Sequence, residues 1–152
     1  MSLPALFCRV VSHSAALREA LARVPLFESC SGRDLQIIAR HMQVVAIEQG
    51  TVLMREGENG DAFYVALQGS ADAVRGGRVV TGVEPGDFIG ELALIDPAPR
   101  TATVTARSAM VIGVIDHRAF TAIIRDVPTM NLKLMRALVR RLRQRDLEAV
   151  PG

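Results

Sequence analysis

Tryptophan is absent from this chain of 152 residues, aromatic residues make up only 4% of it, and lysine occurs once, at Lys133, beside 17 arginines. Basic and acidic residues nearly balance, at 18 and 16, which leaves a formal net charge of +2. Such a balance argues against a nucleic-acid-binding arm and against a polybasic membrane-binding patch. An anion site in this chain would therefore rely on guanidinium groups.

Cysteine, grouped histidine and long apolar runs are also scarce. Cys8 and Cys30 form no CxxC pair, and two cysteines do not build a disulfide framework, so a reducing compartment is expected. The three histidines show no metal-ligand spacing, and no serine or cysteine lies in the context of a catalytic nucleophile. The longest apolar runs are too short to span a bilayer. We therefore expect a cytoplasmic protein, or a cytoplasmic domain of a larger one, that is not an enzyme and holds no metal.

The N-terminal part of the chain predicts two short helices. Apolar residues recur at near one-turn spacing over residues 15–24 and again over residues 35–42, with a proline between the two runs. Ser31, followed three residues later by Asp34, predicts a capping box at the start of the second helix.

Between residues 43 and 115 the pattern changes to that of β-strands. Short runs of valine, isoleucine and aromatic residues are separated by frequent glycines. Gly76 and Gly77 lie between two such runs and predict a two-residue hairpin turn. Many short strands with glycine-rich turns predict a mainly β fold with flanking helices, of the β-roll or jelly-roll-like barrel type.

A second helical region is predicted at about residues 116–148. Asp116 is a candidate N-cap, and a Val-Pro-Thr break precedes a long amphipathic helix. One face of that helix carries an apolar stripe of Leu132, Met135, Leu138, Val139 and Leu142. The spacing allows the stripe to pack on the protein's own roll or on the same helix of a second copy, so a homodimer is one of two expectations.

These regions predict one domain with an N-terminal addition. Residues 1–23 are placed in a helical extension or linker, and residues 24–148 in the domain itself. The β-roll occupies about residues 43–115, and a length of this order is enough to bury a hydrophobic core without disulfides.

The segment 86–104 does not follow the strand-and-turn pattern. A single helical turn is predicted over residues 91–95, preceded by Gly90 and followed by two prolines and Arg100. A helix N-terminus favours an anion, glycine lets the backbone approach closely, and a guanidinium binds two phosphate oxygens at once. Glu91 admits two interpretations: it accepts a hydrogen bond from a sugar hydroxyl beside a phosphate, or it stabilises its helix and pairs with Arg100. The residues alone leave both interpretations open.

Residues 88–95, FIGELALI, and 99–104, PRTATV, resemble the phosphate-binding cassette of cyclic nucleotide-binding domains. This is the family of bacterial catabolite activators, cyclic-nucleotide-gated channels and protein kinase A regulatory subunits. Residues 24–27 resemble the family's entry motif, and residues 57–65 its mid-barrel turn and strand. The resemblance covers about residues 24–145 and implies the family's β-roll with a C-terminal lid helix.

The resemblance implies a role for each residue of the cassette. Arg100 would bind the equatorial oxygens of a cyclic phosphate, which the backbone amides of Leu92 and Ala93 would also bind. Glu91 would hold the ribose 2′-hydroxyl, and Gly90 would allow that geometry. No cofactor is implied beyond the ligand itself.

Further residues are implied at the base of the nucleotide. Thr101 would offer its hydroxyl to the phosphate or the base, and Val79 and Val80 would form apolar walls. The last helix would cover the purine as a lid, through Leu138, Arg141 and Leu142. In the family a threonine beside the arginine is compatible with either ligand, and we expect cAMP in preference to cGMP.

A sensor of this kind implies a partner that it regulates. A DNA-binding regulator of the catabolite-activator type would need a helix-turn-helix domain after the last helix, where this sequence stops at Pro151 and Gly152. We therefore expect an effector domain or protein outside these 152 residues, and no nucleic-acid-binding or membrane segment within them. Two alternatives stay open: a regulatory fragment of a larger channel, transporter or enzyme, and a degenerate barrel that binds no nucleotide and is used for protein contacts.

Overall fold

The computed structural model of the chain describes residues 9–10, 14–28, 30–90 and 99–149. After a two-residue strand at Arg9–Val10, helices come first, strands follow, and helices end the described part of the chain, in the order that the hydrophobic periodicity predicts.

The N-terminal helices are joined by a short 3-10 turn. Their bounds are Ser14–Ala22 for α1, Pro25–Phe27 for the 3-10 turn and Gly32–His41 for α2. The predicted capping box is present, because the Asp34 amide donates to Ser31 Oγ at 3.1 Å and the Ser31 amide donates to the Asp34 carboxylate at 3.4 Å. Two of the amides left unpaired at the helix N-terminus are thereby satisfied.

The β region consists of two antiparallel sheets. One has the strand order β1-β2-β9-β4-β7 and the other the order β3-β8-β5-β6. The predicted hairpin is confirmed, since Arg75 pairs with Arg78 across the two glycines, whereas β1 was not predicted. The strands are β1 (Arg9–Val10), β2 (Gln43–Ile47), β3 (Val52–Met54), β4 (Ala62–Gln68), β5 (Ala71–Arg75), β6 (Arg78–Val83), β7 (Phe88–Ile89), β8 (Thr103–Ala106) and β9 (Met110–Asp116).

The first sheet separates two hydrophobic cores. Successive side chains of a strand point to opposite faces, so β4 directs Tyr64 to one side and Phe63 and Val65 to the other. We call the cluster around Tyr64, between the two sheets, the inner core, and the cluster around Phe63, beneath the helices, the outer core. The prediction of a mainly β fold with flanking helices is confirmed, although the two sheets form an open roll and not a closed barrel.

Two helices follow the last strand: α3, His117–Asp126, and α4, Met130–Ala149. Asp116 is the N-cap that the sequence predicts, since its carboxylate accepts the Ala119 amide at 2.8 Å. None of the helices that the structure describes combines the length and the apolarity needed to cross a membrane.

Helix α4 packs on the roll through a face that the apolar stripe only partly predicts. Met130 and Leu134 are buried in the outer core, and Leu138 is half-buried against it. The other described stripe residues are exposed to solvent: Leu132 by 51%, Met135 by 60% and Val139 by 44%. The spacing left two packings of the stripe open, and of its described residues only Leu138 packs on the protein's own roll, because the buried face of the helix lies beside the stripe.

Candidate functional site

Arg100 is the only charged residue that is buried within the described part of the chain, with 5% of its surface exposed. It follows Pro99, which forms an isolated antiparallel β-bridge with Asn59. The Arg100 amide donates to the Glu58 carbonyl at 2.8 Å, and the Gly57 amide donates to the Arg100 carbonyl at 2.9 Å. The turn that precedes β4 therefore holds the Arg100 backbone on both sides.

The guanidinium of Arg100 is held by backbone oxygens of two strand ends. Nη2 donates to the Ala62 carbonyl at 2.7 Å, and Nη1 donates to the Gly90 carbonyl at 3.2 Å. Nε is buried and has no hydrogen-bond partner within the residues that the structure describes. An unpaired buried donor costs on the order of 1–3 kcal/mol, and more when it is charged. An anionic ligand would supply the missing acceptor.

Two glycines lie against this guanidinium. A Cβ at Gly60 would collide with Nε, Nη2 and Cζ of Arg100. At Gly90 a Cβ would lie 2.6 Å from Nη1, and the backbone φ of +80° is one that residues with a side chain rarely adopt. Gly90 therefore approaches the Arg100 guanidinium closely, and the close approach to an anion stays a prediction.

Tyr64 lies beside Arg100 on the inner face of β4. The Arg100 Cζ atom is 5.8 Å from the Tyr64 ring centroid, which is within the range of a cation–π interaction. Tyr64 Oη is buried and has no hydrogen-bond partner among the described residues. Burial raises the pKa of Tyr64 above its usual 10.0, and the Asp61 charge acts in the same direction while Arg100 opposes it. Tyr64 is thus a neutral hydroxyl at physiological pH.

The structure brings together two of the predicted site residues, Gly90 and Arg100. Thr101 is exposed, and its carbonyl accepts a hydrogen bond from Arg75 Nε at 2.9 Å. The two predicted walls for the base, Val79 and Val80, lie on β6 with 63% and 50% of their surface exposed.

Several other predicted residues have side chains outside the described part of the chain: Glu91, Leu92, Ala93, Arg141 and Leu142. The predicted helical turn over residues 91–95 lies outside it as well. Leu138 packs against the outer core, on the face of the first sheet opposite to Tyr64.

Gly60 and Tyr64 were not predicted as site residues. The strand alternation predicts that one of Phe63 and Tyr64 faces the core, yet both are buried, because the sheet is covered on its two faces. Gly60 belongs to a segment that resembles a family motif, but only the fold shows that it lies against Arg100, which is 40 positions later in the chain.

The model of one protein family matches residues 44–127, and its description is cyclic nucleotide-binding domain. These residues include Arg100, both glycines that contact it, and Tyr64. The match therefore contains the whole of the described site.

Three known proteins show the extent of the similarity. The CRP-like cAMP-activated global transcriptional regulator of Mycobacterium tuberculosis is 32% identical over 131 residues, which are 83% of this chain and 58% of that protein. The crystal structure of Thermus thermophilus catabolite activator protein is 29% identical with a TM-score of 0.77, over 82% of this chain and 61% of that chain. The regulatory domain of Toxoplasma gondii PKA, solved with cAMP, is 38% identical with a TM-score of 0.65, over 76% of this chain and 46% of that chain.

Their names refer to transcriptional regulation, to activation and to the regulatory domain of PKA, respectively. This chain spans less than two thirds of the length of each, so the similarity concerns one part of those proteins.

Proposed function

Because the chain belongs to the family of cyclic nucleotide-binding domains, we propose that it is a sensing module, which binds a cyclic nucleotide and transmits the binding event to an effector. The ligand lies at the edge of the roll, with its phosphate on Arg100. The module itself performs no catalysis.

The observation that carries this proposal is the buried guanidinium of Arg100, whose Nε has no hydrogen-bond partner among the described residues. A buried charge is costly unless it is paired and hydrogen-bonded. The two carbonyl contacts orient the group, and a cyclic phosphate adds both the opposite charge and the missing acceptor.

The rest of the nucleotide contacts follow from the resemblance of the cassette. The amides of Leu92 and Ala93 bind the phosphate, Glu91 accepts the ribose 2′-hydroxyl, and Thr101 contributes its hydroxyl. Val79 and Val80 contact the base, and their exposure leaves them free to do so.

We favour cAMP over cGMP as the ligand. One relative is named as cAMP-activated, and one solved neighbour holds cAMP. A preference for cGMP is the second candidate, and a direct comparison of the two affinities decides between them.

The signal is a movement of α4. In this structure Leu138 packs on the outer core, and the proposed lid function requires that Leu138, Arg141 and Leu142 move to cover the purine. A ligand shifts such an equilibrium only by its differential affinity for the two positions of the helix.

Calorimetric titration of the wild type and of Arg100→Ala with cAMP and with cGMP tests the site. We expect the variant to lose about 2–4 kcal/mol of binding free energy, because a buried charge-assisted contact with the phosphate is removed. Circular dichroism checks that the variant is folded, since Arg100 also binds the Ala62 and Gly90 carbonyls.

Arg78→Ala is the matched control, because Arg78 is an exposed arginine on β6. It should bind as the wild type does. Unchanged affinity in a folded Arg100→Ala variant would exclude this site, and failure of the wild type to bind either nucleotide would favour the degenerate barrel.

The regulated partner is an effector domain or protein outside these 152 residues. This chain matches 58% of the Mycobacterium tuberculosis regulator, which is therefore about 1.7 times as long as the matched part. A regulatory fragment of a larger channel, transporter or enzyme is the alternative form of the same proposal. Sequencing the gene on both sides of the region that encodes residues 1–152 tests it.

Helix α4 also provides a dimer interface. Leu132, Met135 and Val139 are exposed and follow one another at intervals of three and four residues, which is the spacing of a coiled-coil seam. The second copy of the chain contributes the same stripe, so that each helix covers the apolar face of the other.

A further inference from the structure

The single lysine of the chain is in contact with the thiol of Cys30. Lys133 Nζ donates to Cys30 Sγ at 3.2 Å, across 103 positions of the sequence. Both side chains are half-buried, so each keeps some access to solvent. The other 17 basic residues are arginines, so Lys133 carries the only side-chain primary amine in the sequence, and this amine contacts a sulfur atom.

The backbone holds both members of this pair in place. The Cys30 amide donates to the Phe27 carbonyl at 3.0 Å, and the capping box of α2 begins at the next residue, Ser31. On the other side, the Lys133 amide donates to the Thr129 carbonyl at 3.2 Å in the first turn of α4. Ordered elements therefore hold Lys133 Nζ and Cys30 Sγ at 3.2 Å, a distance from which two groups can react.

The surroundings admit a small reagent. Lys133 lines a groove of about 430 Å³ between the 3-10 turn and α4, which a molecule of the size of a peroxide can enter, whereas Cys30 does not line the groove and is reached through its own exposed part. Arg136 and Arg140 line it as cations, and Glu28 and Asp87 as anions. A thiolate at Cys30 would have the Lys133 ammonium directly beside it, and the thiolate is the form that attacks a peroxide.

We propose that Cys30 and Lys133 form a redox-reversible covalent link, produced by hydrogen peroxide. The Cys30 thiolate attacks the peroxide, which breaks the O–O bond and leaves a sulfenic acid and hydroxide. The hydroxide takes a proton from the Lys133 ammonium, and the free amine then attacks the sulfur to form an S–N bond and release water. Sulfur is oxidised, the peroxide is reduced to two molecules of water, and a thiol reductant reverses the link.

The link joins the start of α2 to the first turns of α4. It lies on the outer-core side of the first sheet, whereas Arg100 and Tyr64 contact the inner side. This modification site is thus separate from the proposed nucleotide site, and its chemistry requires no bound nucleotide.

The test is treatment of the purified full chain with hydrogen peroxide, followed by peptide mass spectrometry. The expected product is one crosslinked peptide that contains Cys30 and Lys133, lighter than the two separate peptides by two hydrogen atoms. Thermal unfolding should shift to a higher temperature on oxidation and return on addition of dithiothreitol, because the link constrains the unfolded chain.

Lys133→Arg is the matched variant, since it keeps the positive charge but has no nucleophilic amine. It should show neither the crosslinked peptide nor the reversible shift. A Cys8→Ser variant, which should behave as the wild type, removes the second thiol of the chain. The proposal is overturned if Cys30 of the wild type proceeds to sulfinic acid while the Lys133 peptide stays free, or if Lys133→Arg gives the same shift.

Discussion

Arg100 is positioned mainly by the backbone. Two carbonyl oxygens bind its terminal nitrogens, and two glycines leave the space that its planar group occupies. A guanidinium needs a fixed plane to bind two oxygens of one anion, and backbone groups provide that plane with little freedom to rotate. At the scale of single residues, the site therefore depends on the lack of a Cβ atom at Gly60 and Gly90 as well as on the Arg100 side chain.

Substitution of Gly60 by alanine should weaken cyclic nucleotide binding by at least about tenfold, or roughly 1.4 kcal/mol. The new Cβ would collide with three atoms of the Arg100 guanidinium and displace them. Gly90→Ala should do the same and also lose stability, because its φ of +80° is strained for alanine. Calorimetric titration measures the first effect and urea unfolding the second.

Gly32→Ala is the control for both variants, because a Cβ at Gly32 meets no atom within 4 Å and the residue lies in the first turn of α2. Binding in this variant should equal that of the wild type. If Gly60→Ala binds as tightly as Gly32→Ala does, the guanidinium is not held as described.

Tyr64 makes stability depend on pH in the alkaline range. Its pKa is raised in the folded protein above the 10.0 of the unfolded chain, mainly by burial. The unfolded state therefore loses the phenol proton first, and the free energy of unfolding decreases as the pH rises above about 10. Below that pH both states are protonated, and this group contributes no pH dependence.

Since the chain has one tyrosine and no tryptophan, ultraviolet absorbance follows the ionisation of Tyr64 alone. Tyr64→Phe should show a smaller decrease in stability above pH 10 in urea unfolding. A slope equal to that of the wild type would contradict the assignment to Tyr64.

At the scale of elements, α4 has two apolar faces, of which one packs on the outer core and the other is exposed. Met130 and Leu134 attach it to the outer core, and the exposed residues Leu132, Met135 and Val139 form a second face beside the first. Contiguous exposed apolar residues on a protein surface commonly mark an interaction site. This observation is the basis of the proposed dimer.

Met135→Glu should convert the dimer into a monomer, because it places like charges opposite each other at the centre of the seam. Sedimentation velocity measures the mass in solution. Val79→Glu is a matched control, since it replaces another exposed apolar residue, on β6 and away from α4, and should stay dimeric. A wild type that is monomeric at all accessible concentrations would exclude the dimer.

At the scale of the whole molecule, the first sheet lies between the proposed nucleotide site and the helices. Its inner side carries Tyr64 and the Ala62 carbonyl that holds Arg100, and its outer side carries the helices. Strand β4 belongs to both cores through alternate side chains, so the proposed signal would pass from the ligand side to the outer side through this strand.

Binding should stabilise the molecule as a whole. At 100 times its dissociation constant, cAMP should raise the free energy of unfolding by about 2.7 kcal/mol, if it binds the folded state alone. Thermal unfolding monitored by circular dichroism measures the shift, and Arg100→Ala provides the background without the phosphate contact. The absence of a shift in the wild type would favour the alternative, a degenerate barrel that binds no nucleotide.

Local patterns in the sequence were sufficient for the elements and for part of the site. The periodicity of apolar residues predicted the helices and the roll, Ser31 and Asp116 predicted their caps, and a glycine pair predicted the hairpin. Gly90 and Arg100 were recognisable because both lie in one short segment. Such signals depend on neighbours in the chain, which is why they can be interpreted without a fold.

Long-range packing decided the rest. Which face of α4 is buried, why both Phe63 and Tyr64 are inside, and how Gly60 comes to lie against Arg100 all depend on elements that are far apart in the sequence. The scarcity of lysine and cysteine indicated only what the protein is not, whereas the fold brings the one lysine to 3.2 Å from a thiol 103 positions away. Such proximity arises when distant elements pack against each other, and it cannot be predicted from composition or from hydrophobic periodicity.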